Sequence, residues 1–216
     1  ISLVLLNGCL MIENRKNHWE TVYATKQPHE VSWTQPVPKT ALQWIDAAQL
    51  DKSASIIDVG GGDSRLVDAL LTRGYENITV LDISEKALER AQKRLGEAAQ
   101  KVQWLASDIT EFKPQQNYVL WHDRATFHFL TDPTQVNTYQ NSVRKAAPSY
   151  LILGTFSENG PKKCSGLEIQ QYSETQMKQL WEKDFDKISC HTEDHTTPFD
   201  TQQNFLFCHF KRKENV

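Results

Sequence analysis

A run of three glycines, directly after a short apolar stretch, constrains this chain more than any other feature of its sequence. Ser55–Val59 has the composition of a short buried strand, and Gly60, Gly61 and Gly62 end it. Glycine allows a backbone to turn sharply and to approach a ligand closely. Apolar residues then recur at helical spacing, at Leu66, Val67, Leu70 and Leu71. Because a helix start offers unpaired N–H groups and a positive dipole end, this order predicts a site for a nucleotide-like cofactor.

Strand-like and helix-like stretches alternate along the chain from residue 55 to about residue 153. Further strands are predicted at 77–81, 102–106, 118–121 and 150–153. Such alternation is typical of βαβ units and a parallel sheet. Two more strand-like stretches, near 185–192 and 202–210, predict a hairpin that closes the sheet. The predicted fold class is α/β, with a doubly wound, mostly parallel seven-stranded sheet, a C-terminal antiparallel hairpin and helices on both faces.

Capping residues mark the predicted helix starts. One helix is predicted near 39–50, and Ser84 is the predicted N-cap of another. Pro133 suits the first turn of a third helix, and Ser173 and Gln176 form a capping box for a fourth. The helices after Ser84 and Pro133 fall between predicted strands, as the alternating fold requires.

The composition fits one globular domain without a general affinity for nucleic acids. Of the 216 residues, 39% are hydrophobic and 24% charged, and the net charge is -3. Residues 11–216 are predicted to form a single domain, with 11–50 as an N-terminal lid or helical segment. Residues 1–10 are apolar and Met11 follows directly, so we interpret them as a non-native or upstream extension. The apolar runs are shorter than a bilayer requires, and no membrane association is predicted.

The cysteine pattern predicts a reducing, cytoplasmic setting. The four cysteines, Cys9, Cys164, Cys190 and Cys208, include no C-x-x-C pair. This spacing argues against a structural zinc site and against a disulfide framework. Cys164 falls in a polar loop and is predicted to be exposed and unreactive, since no histidine adjacent in sequence activates its thiol.

Two residues near the glycine run distinguish between cofactor classes. Asp82 ends the second strand, 20 residues after Gly62, where a carboxylate can accept hydrogen bonds from ribose hydroxyls. A helix-capping role is the alternative, because Ser84 follows closely. A dinucleotide-binding turn has the pattern G-x-G-x-x-G/A, and Arg65 occupies its third glycine position. A bulky residue there hinders close helix–strand packing, which disfavours a dinucleotide.

The acidic residue before the glycines completes a motif that resembles class I S-adenosylmethionine-dependent methyltransferases. Asp58-Val59-Gly60-Gly61-Gly62-Asp63-Ser64 is similar to the family's first motif, with Ser64 in place of the frequent last glycine. The likeness covers about 15–156 and looks like a subgroup of small stand-alone, Rossmann-like enzymes. It implies S-adenosylmethionine as cofactor, S-adenosylhomocysteine as product, and no metal.

The resemblance also implies which strand ends hold the cofactor. Asp82 would bind the ribose with Ile83 beside the adenine, and Asp108 would lie near the adenine amine. Aromatic residues of the N-terminal segment would fold over the cofactor, where their faces suit a cationic sulfonium; ordinary packing on the sheet edge is the alternative. The predicted cofactor-binding residues are Asp58, Gly60, Gly61, Gly62, Asp63, Asp82, Ile83, Asp108, Ile109, His122, Tyr23 and Trp33.

The end of the fourth strand supplies the predicted catalytic residues. Asp123 or His122 would orient a nucleophile or accept its proton, and Arg124 would pair with a carboxylate of substrate or cofactor. A structural ion pair between Asp123 and Arg124 is the alternative, and His128 alternatively packs among its aromatic neighbours. The predicted catalytic residues are Asp123, His122, Arg124 and His128.

The predicted function is methyl transfer by in-line displacement to a small molecule or to a protein side chain such as lysine. In this reaction the protein mainly positions the nucleophile and excludes water. The methyl acceptor is the one predicted partner, and the sequence does not identify it. A non-catalytic cofactor-binding module of the same fold is an alternative, and a nicotinamide-dependent oxidoreductase is a second one that Arg65 disfavours.

Overall fold

The computed structural model describes the backbone of residues 3–214 and the side chains of residues 12–214, and a seven-stranded sheet forms its centre. The strands are β1 (Ser55–Val59), β2 (Asn77–Asp82), β3 (Val102–Ala106), β4 (Leu120–Arg124), β5 (Tyr150–Phe156), β6 (Lys163–Cys164), β7 (Leu167–Glu168), β8 (Phe185–Thr196) and β9 (Gln202–Arg212). The short strands β6 and β7 pair with each other outside the main sheet.

The order of strands across the main sheet is β3-β2-β1-β4-β5-β9-β8. Strands β1 to β5 pair in parallel, and β9 is antiparallel to both β5 and β8. The predicted mostly parallel sheet with its C-terminal antiparallel hairpin is confirmed. The chain order reverses between β1 and β4, and ligands of such sheets bind beyond the strand ends at this point.

Three of the six α-helices within residues 3–214 begin where the sequence predicts a helix start at Ser84, Pro133 or Ser173. The six are α1 (Leu3–Thr25), α2 (Lys39–Ala47), α3 (Leu66–Thr72), α4 (Glu85–Leu95), α5 (Pro133–Ala146) and α6 (Glu174–Trp181). The Ser84 hydroxyl accepts a hydrogen bond from the backbone N–H of Ala87, and Ser173 and Gln176 form the predicted capping box. Within residues 3–214, none of these helices combines the length and apolar character needed to cross a bilayer.

The N-terminal helix α1 begins at Leu3 and is continuous through the residues that the sequence analysis interprets as an extension. The side chains of residues 1–11 lie outside the described part of the chain. The interpretation of residues 1–10 as non-native therefore stays a prediction.

Side chains that alternate along the strands divide the core into two layers. Ile57, Trp121 and Leu151 are fully buried and pack towards α5 and α6. Ile56 and Leu120 point the other way, towards α2, α3 and α4. This alternation decides on which face each residue of β4 lies.

The fourth strand, Leu120–Arg124, begins and ends later than the predicted 118–121. The polar residues 122–124 read as a loop in the sequence, but β1 and β5 pair with them on either side and keep them extended. Because successive side chains of a strand point to opposite faces, His122 and Arg124 share the face of Leu120. Asp123 shares the opposite face with Trp121.

Asp123 lies in the core beneath α5, which corrects its prediction as a catalytic residue. Its Oδ1 accepts hydrogen bonds from the backbone N–H groups of Thr126 (2.9 Å) and Phe127 (3.2 Å), and its Oδ2 accepts one from the Tyr139 hydroxyl (2.7 Å). The side chain is fully buried, and burial raises the pKa of Asp123 to about 6. Among the described residues Asp123 forms no ion pair with Arg124. The alternative prediction, a structural ion pair between these two residues, is therefore also wrong.

Two predictions about the cysteines are wrong. Cys190 on β8 lies directly opposite Cys208 on β9, and the two form a disulfide bond. Their pairing depends on the register of the hairpin, which their spacing along the chain does not reveal. Cys164 on β6 is buried rather than exposed.

We expect Asp123→Asn to lower the free energy of unfolding by about 1–3 kcal/mol, because the buried Tyr139 hydroxyl loses its acceptor. Urea denaturation followed by circular dichroism measures this change. Asp200→Asn is the matched control at an exposed position and should change stability by less than about 0.5 kcal/mol. Equal stability of both variants would contradict the structural role of Asp123.

Candidate functional site

A cavity of about 750 Å³ lies against the carboxyl ends of β1, β2, β3 and β4. Its volume falls within the range of about 300–1,000 Å³ that is usual for small-molecule sites. Helix α1 and residues 28–38 cover it. Gly62 lies in the turn between two residues of the wall, and the other predicted cofactor-binding residues form the wall itself, namely Asp58, Gly60, Gly61, Asp63, Asp82, Ile83, Asp108, Ile109, His122, Tyr23 and Trp33.

The glycine turn after β1 leaves no room for side chains. Gly60 has φ +66°, and a Cβ there would overlap the Thr126 side chain. A Cβ on Gly61 would lie 2.6 Å from Asp58 Oδ2. The backbone N–H groups of both glycines donate to the Leu81 carbonyl oxygen, which ties the turn to β2. Glycine is therefore required here by close approach as well as by backbone conformation.

Asp82 uses one carboxylate oxygen at the start of α4. Its Oδ1 accepts the backbone N–H of Ser84 at 2.8 Å. Its Oδ2 faces the glycine turn, where a Cβ on Gly62 would lie 2.8 Å away. Burial raises the pKa of Asp82 to about 7. The capping role is observed, and the second oxygen stays available for the predicted ligand contact.

Two of the other predicted carboxylates, Asp63 and Asp108, already have arginine partners. Asp63 forms an ion pair with Arg94 of α4. Asp108 Oδ2 lies 2.9 Å from Arg15 Nη2 of α1, and its Oδ1 accepts hydrogen bonds from the backbone N–H and the hydroxyl of Thr110. In this structure both carboxylates therefore join helices to the sheet edge, and Asp108 has little capacity left for an adenine amine.

Glu20 attaches α1 to the start of α4, a contact that the sequence analysis missed. Its carboxylate accepts hydrogen bonds from the backbone N–H groups of Glu85 (2.7 Å) and Lys86 (3.2 Å) and from the Ser84 hydroxyl (3.1 Å). A helix N-terminus attracts a carboxylate, and Ser84 marks that N-terminus in the sequence. Nothing in the sequence indicates that the carboxylate comes from a residue more than sixty positions earlier.

Four aromatic side chains form a roof over the cavity, and we call Trp19, Tyr23, Trp33 and Phe129 the aromatic roof. The ring centroid of Trp19 lies 5.5 Å from that of Trp33 and 5.2 Å from that of Phe129. All four line the cavity. These side chains therefore pack against one another and also line the cavity, so both interpretations from the sequence, packing and a cover over the site, remain compatible with their positions.

His122 and Asp58 form a buried pair at the switch point of the sheet. They lie opposite each other in the register of β4 and β1, and His122 Nδ1 is 2.7 Å from Asp58 Oδ1. Both side chains are 3% exposed. Among the described residues, His122 Nε2 and Asp58 Oδ2 have no hydrogen-bond partner. His122 thus lines the cavity and has a buried ring nitrogen without a partner among the described residues.

Arg124 also lies in the cavity wall, on the same face of β4 as His122. Its Nη1 donates a hydrogen bond to the Trp33 carbonyl oxygen at 2.9 Å. The carbon centre of its guanidinium lies 4.6 Å from the centre of the Phe205 ring, a cation–π contact. Arg124 therefore lines the cavity and is held by an aromatic and a backbone contact, and its predicted pairing with a carboxylate of substrate or cofactor stays a prediction.

His128 lies outside the cavity wall, which corrects its prediction as a catalytic residue. It is fully buried, and its Nδ1 accepts the backbone N–H of Phe156 at 3.2 Å. Burial lowers the pKa of His128 to about 3, so the ring is neutral at ordinary pH. The alternative interpretation, packing among aromatic residues, is the one that the structure supports.

Cys164 is a residue of the cavity wall that the sequence analysis did not predict. Burial raises the pKa of its thiol to about 11, so the sulfur is protonated and weakly nucleophilic at neutral pH. Within the described part of the chain, no group of three or more His, Cys, Asp or Glu side chains is arranged to hold a metal ion.

Known proteins similar to this chain are methyltransferases. Residues 56–149 match the family model described as a methyltransferase domain. The chain is 36% identical to a malonyl-[acyl-carrier protein] O-methyltransferase of Anoxybacillus flavithermus, over 56% of this chain and 48% of that protein. It is 28% identical to an N-terminal Xaa-Pro-Lys N-methyltransferase of Xenopus laevis, over 47% of this chain and 46% of that protein. The matches span about half the length of these curated relatives.

Solved structures extend the similarity of fold to nearly the whole chain. A methyltransferase of Anabaena variabilis superposes with a TM-score of 0.71 at 14% identity and covers 94% of this chain and 95% of its own. A 1,6-didemethyltoxoflavin-N1-methyltransferase of Burkholderia thailandensis, with bound S-adenosylhomocysteine, has a TM-score of 0.68 at 14% identity and covers 99% and 92%. The resemblance predicted from the strand ends is confirmed at this level: residues 56–149 match a methyltransferase domain, and the chain has the fold of solved S-adenosylmethionine-dependent methyltransferases.

Proposed function

We propose that this chain transfers a methyl group from S-adenosylmethionine to a small molecule bound in the cavity beneath the aromatic roof. The observation that carries this proposal is the cavity itself. It lies at the carboxyl ends of β1, β2, β3 and β4, beneath the aromatic roof, and His122 and Arg124 line it. A protein side chain such as lysine is the alternative acceptor. The proposal treats residues 11–216 as one domain.

The residues around the glycine turn fit S-adenosylmethionine. The backbone of the turn packs closely against Thr126 and Asp58, where a Cβ on Gly60 or Gly61 would clash, and both glycines line the cavity. The second oxygen of Asp82 suits ribose hydroxyls, and the aromatic faces of Tyr23 and Trp33 suit a sulfonium cation. Ile83 and Ile109 would contact the adenine. When bound, S-adenosylmethionine supplies a methyl group that the positive sulfur has already activated.

His122 is the residue that we propose as proton acceptor. Asp58 Oδ1 accepts a hydrogen bond from His122 Nδ1, so the lone pair of the neutral ring lies on Nε2. Nε2 has no partner among the described residues. It can take the proton that an amine or hydroxyl loses on methylation. Asp58 holds the ring in the orientation that this transfer needs.

The cellular setting is a separate part of the proposal. A cytoplasmic location remains a prediction from the cysteine spacing and the absence of a long apolar run. The Cys190–Cys208 disulfide is the observation that weighs against a strictly reducing compartment. No contact with nucleic acid or membrane is part of the proposed function.

The function is tested by incubating the protein with S-adenosylmethionine labelled in the methyl group and with a cell extract. We expect label in the small-molecule fraction, and His122→Gln should lower the labelling rate by about 100-fold or more. Label in the protein fraction would contradict the small-molecule acceptor. Binding of S-adenosylhomocysteine without label in any fraction would indicate a non-catalytic binding module instead.

Gly60→Ala should abolish binding of S-adenosylhomocysteine, because the added Cβ overlaps the Thr126 side chain and distorts the turn. Isothermal titration calorimetry measures the affinity, which we expect to be micromolar for the unaltered protein. Gly74→Ala is the matched control: Gly74 has φ +82°, so a side chain strains its backbone similarly, yet no atom lies within 4 Å of the added Cβ. Equal losses of affinity in the two variants would contradict a cofactor site at the glycine turn.

Binding of S-adenosylhomocysteine should strengthen as the pH rises from about 6 to about 8. The pKa of Asp82 is about 7 in the free protein because the carboxyl is buried. At about pH 7 half of the Asp82 carboxyls are therefore protonated. The ionised form accepts ribose hydroxyls better, and raising the pH provides more of it. Asp82→Asn should bind more weakly and lose this dependence. The same pH profile in both proteins would show that Asp82 does not contact the ligand.

A further inference from the structure

The Arg124 guanidinium is a buried positive charge in the cavity wall, and within the described residues no carboxylate forms an ion pair with it. Its Nη1 donates to the Trp33 carbonyl oxygen. Its Nε and Nη2 are buried and have no hydrogen-bond partner among those residues. Leaving charged donors unsatisfied in this way is costly, which indicates that a ligand completes the site.

The two unpartnered nitrogens define the shape of the missing group. Nε and Nη2 lie on one edge of the planar guanidinium, and this edge donates two parallel hydrogen bonds to a carboxylate. The guanidinium carbon lies 4.6 Å from the centre of the Phe205 ring, and Nη1 donates to the Trp33 carbonyl oxygen. These contacts fix the orientation of the group and leave the Nε–Nη2 edge for a ligand.

The guanidinium leans away from the glycine turn. Phe205 belongs to β9, which is separated from β4 by β5, and the guanidinium lies 4.6 Å from its ring. Gly154 of β5 is the register partner of Arg124, and the Phe207 ring of β9 packs closely against it. The glycine turn and Asp82 lie on the other side of β4, on β1 and β2. The guanidinium, which carries the unpartnered edge, is thus displaced from β4 towards β9, away from the glycine turn.

Two carboxylates, Glu193 and Asp58, influence Arg124 electrostatically, but among the described residues neither forms an ion pair with it, and Asp58 Oδ1 is bonded to His122 Nδ1. Glu193 Oε2 accepts the Thr40 hydroxyl. Burial lowers the pKa of Arg124 to about 10, which still leaves the group protonated at neutral pH. Cys164 is neutral because burial raises the pKa of its thiol to about 11. A cation, an apolar roof and a neutral thiol together favour an anion with an apolar body.

We propose that Arg124 is a specificity-determining residue that binds a carboxylate of the methyl acceptor, while the apolar part of the acceptor packs beneath the aromatic roof. The inference rests on the proposed function, since only a methyltransferase has a methyl acceptor. The cofactor also carries a carboxylate, at its amino-acid end. The position of Arg124 beyond β4 favours the acceptor as the source.

Calorimetric titrations with acetate and benzoate, each compared with its neutral amide, test the carboxylate site. With saturating S-adenosylhomocysteine present, we expect both anions to bind at least about tenfold more tightly than acetamide and benzamide. Arg124→Gln should remove this preference, and Arg124→Lys should retain part of it, because lysine keeps the charge but lacks the two-donor edge. Arg144→Gln is the control, an arginine of α5 that is paired with Asp184 and does not line the cavity.

Three results would overturn the inference. The first is equal affinity for anions and amides, or no saturable binding of either anion, in the unaltered protein. The second is an unchanged preference in both Arg124→Gln and Arg124→Lys, provided that their melting temperatures show them folded. The third concerns the source: if Arg124→Gln weakens S-adenosylhomocysteine at least about tenfold but leaves 5′-methylthioadenosine unaffected, the carboxylate belongs to the cofactor.

The same titrations without S-adenosylhomocysteine separate this inference from the proposed function. A chain that prefers the anions through Arg124 but binds no S-adenosylhomocysteine would refute the methyltransferase proposal and leave a carboxylate-binding site. A chain that binds S-adenosylhomocysteine but shows no preference for the anions would keep the proposed function and refute the role of Arg124.

Discussion

The hydrogen bond between Asp58 and His122 lies where the order of the strands reverses, and the site is built around it. It joins β1 to β4 across the crevice that a doubly wound sheet opens for ligands. Asp58 also fills the space beneath Gly61, so the glycine turn can pass only without a side chain. A single buried carboxylate thereby sets the path of the turn and the orientation of the imidazole ring. Both the proposed cofactor side and the proposed acceptor side of the cavity depend on this arrangement.

The cover of the cavity depends on the same strand ends that form its floor. Arg15 pairs with Asp108 after β3, and Glu20 accepts the N–H groups that begin α4 after β2. These polar contacts hold α1 so that Trp19 and Tyr23 lie above the glycine turn. A group that binds between cover and floor is enclosed on both sides, and exclusion of water is what methyl transfer requires of the protein.

The sequence predicted the sheet well because its strongest patterns are local. Glycines, caps and apolar alternation place β1, β2 and β3 within about a residue. The division of the polar trio at the end of β4 was not predictable, because it depends on the phase of the strand and on Tyr139, which approaches from α5. Likewise Glu20 and the Cys190–Cys208 pair make contacts between distant segments, for which no local pattern exists. The sequence thus identifies residues 122–124 as a group, and the structure is needed to assign each of them to the cavity or to the core.

The most direct measurement is hydrogen–deuterium exchange of the backbone with and without S-adenosylhomocysteine. We expect binding to slow exchange in the floor of the cavity, at residues 59–64 and 82–84. Exchange should also slow in its cover, which is α1 from residue 12 and residues 28–38. The reason is that a ligand enclosed between floor and cover stabilises both. Protection confined to other parts of the chain, or none at all at saturating ligand, would contradict the claim that the cavity beneath the aromatic roof is the methyl-transfer site.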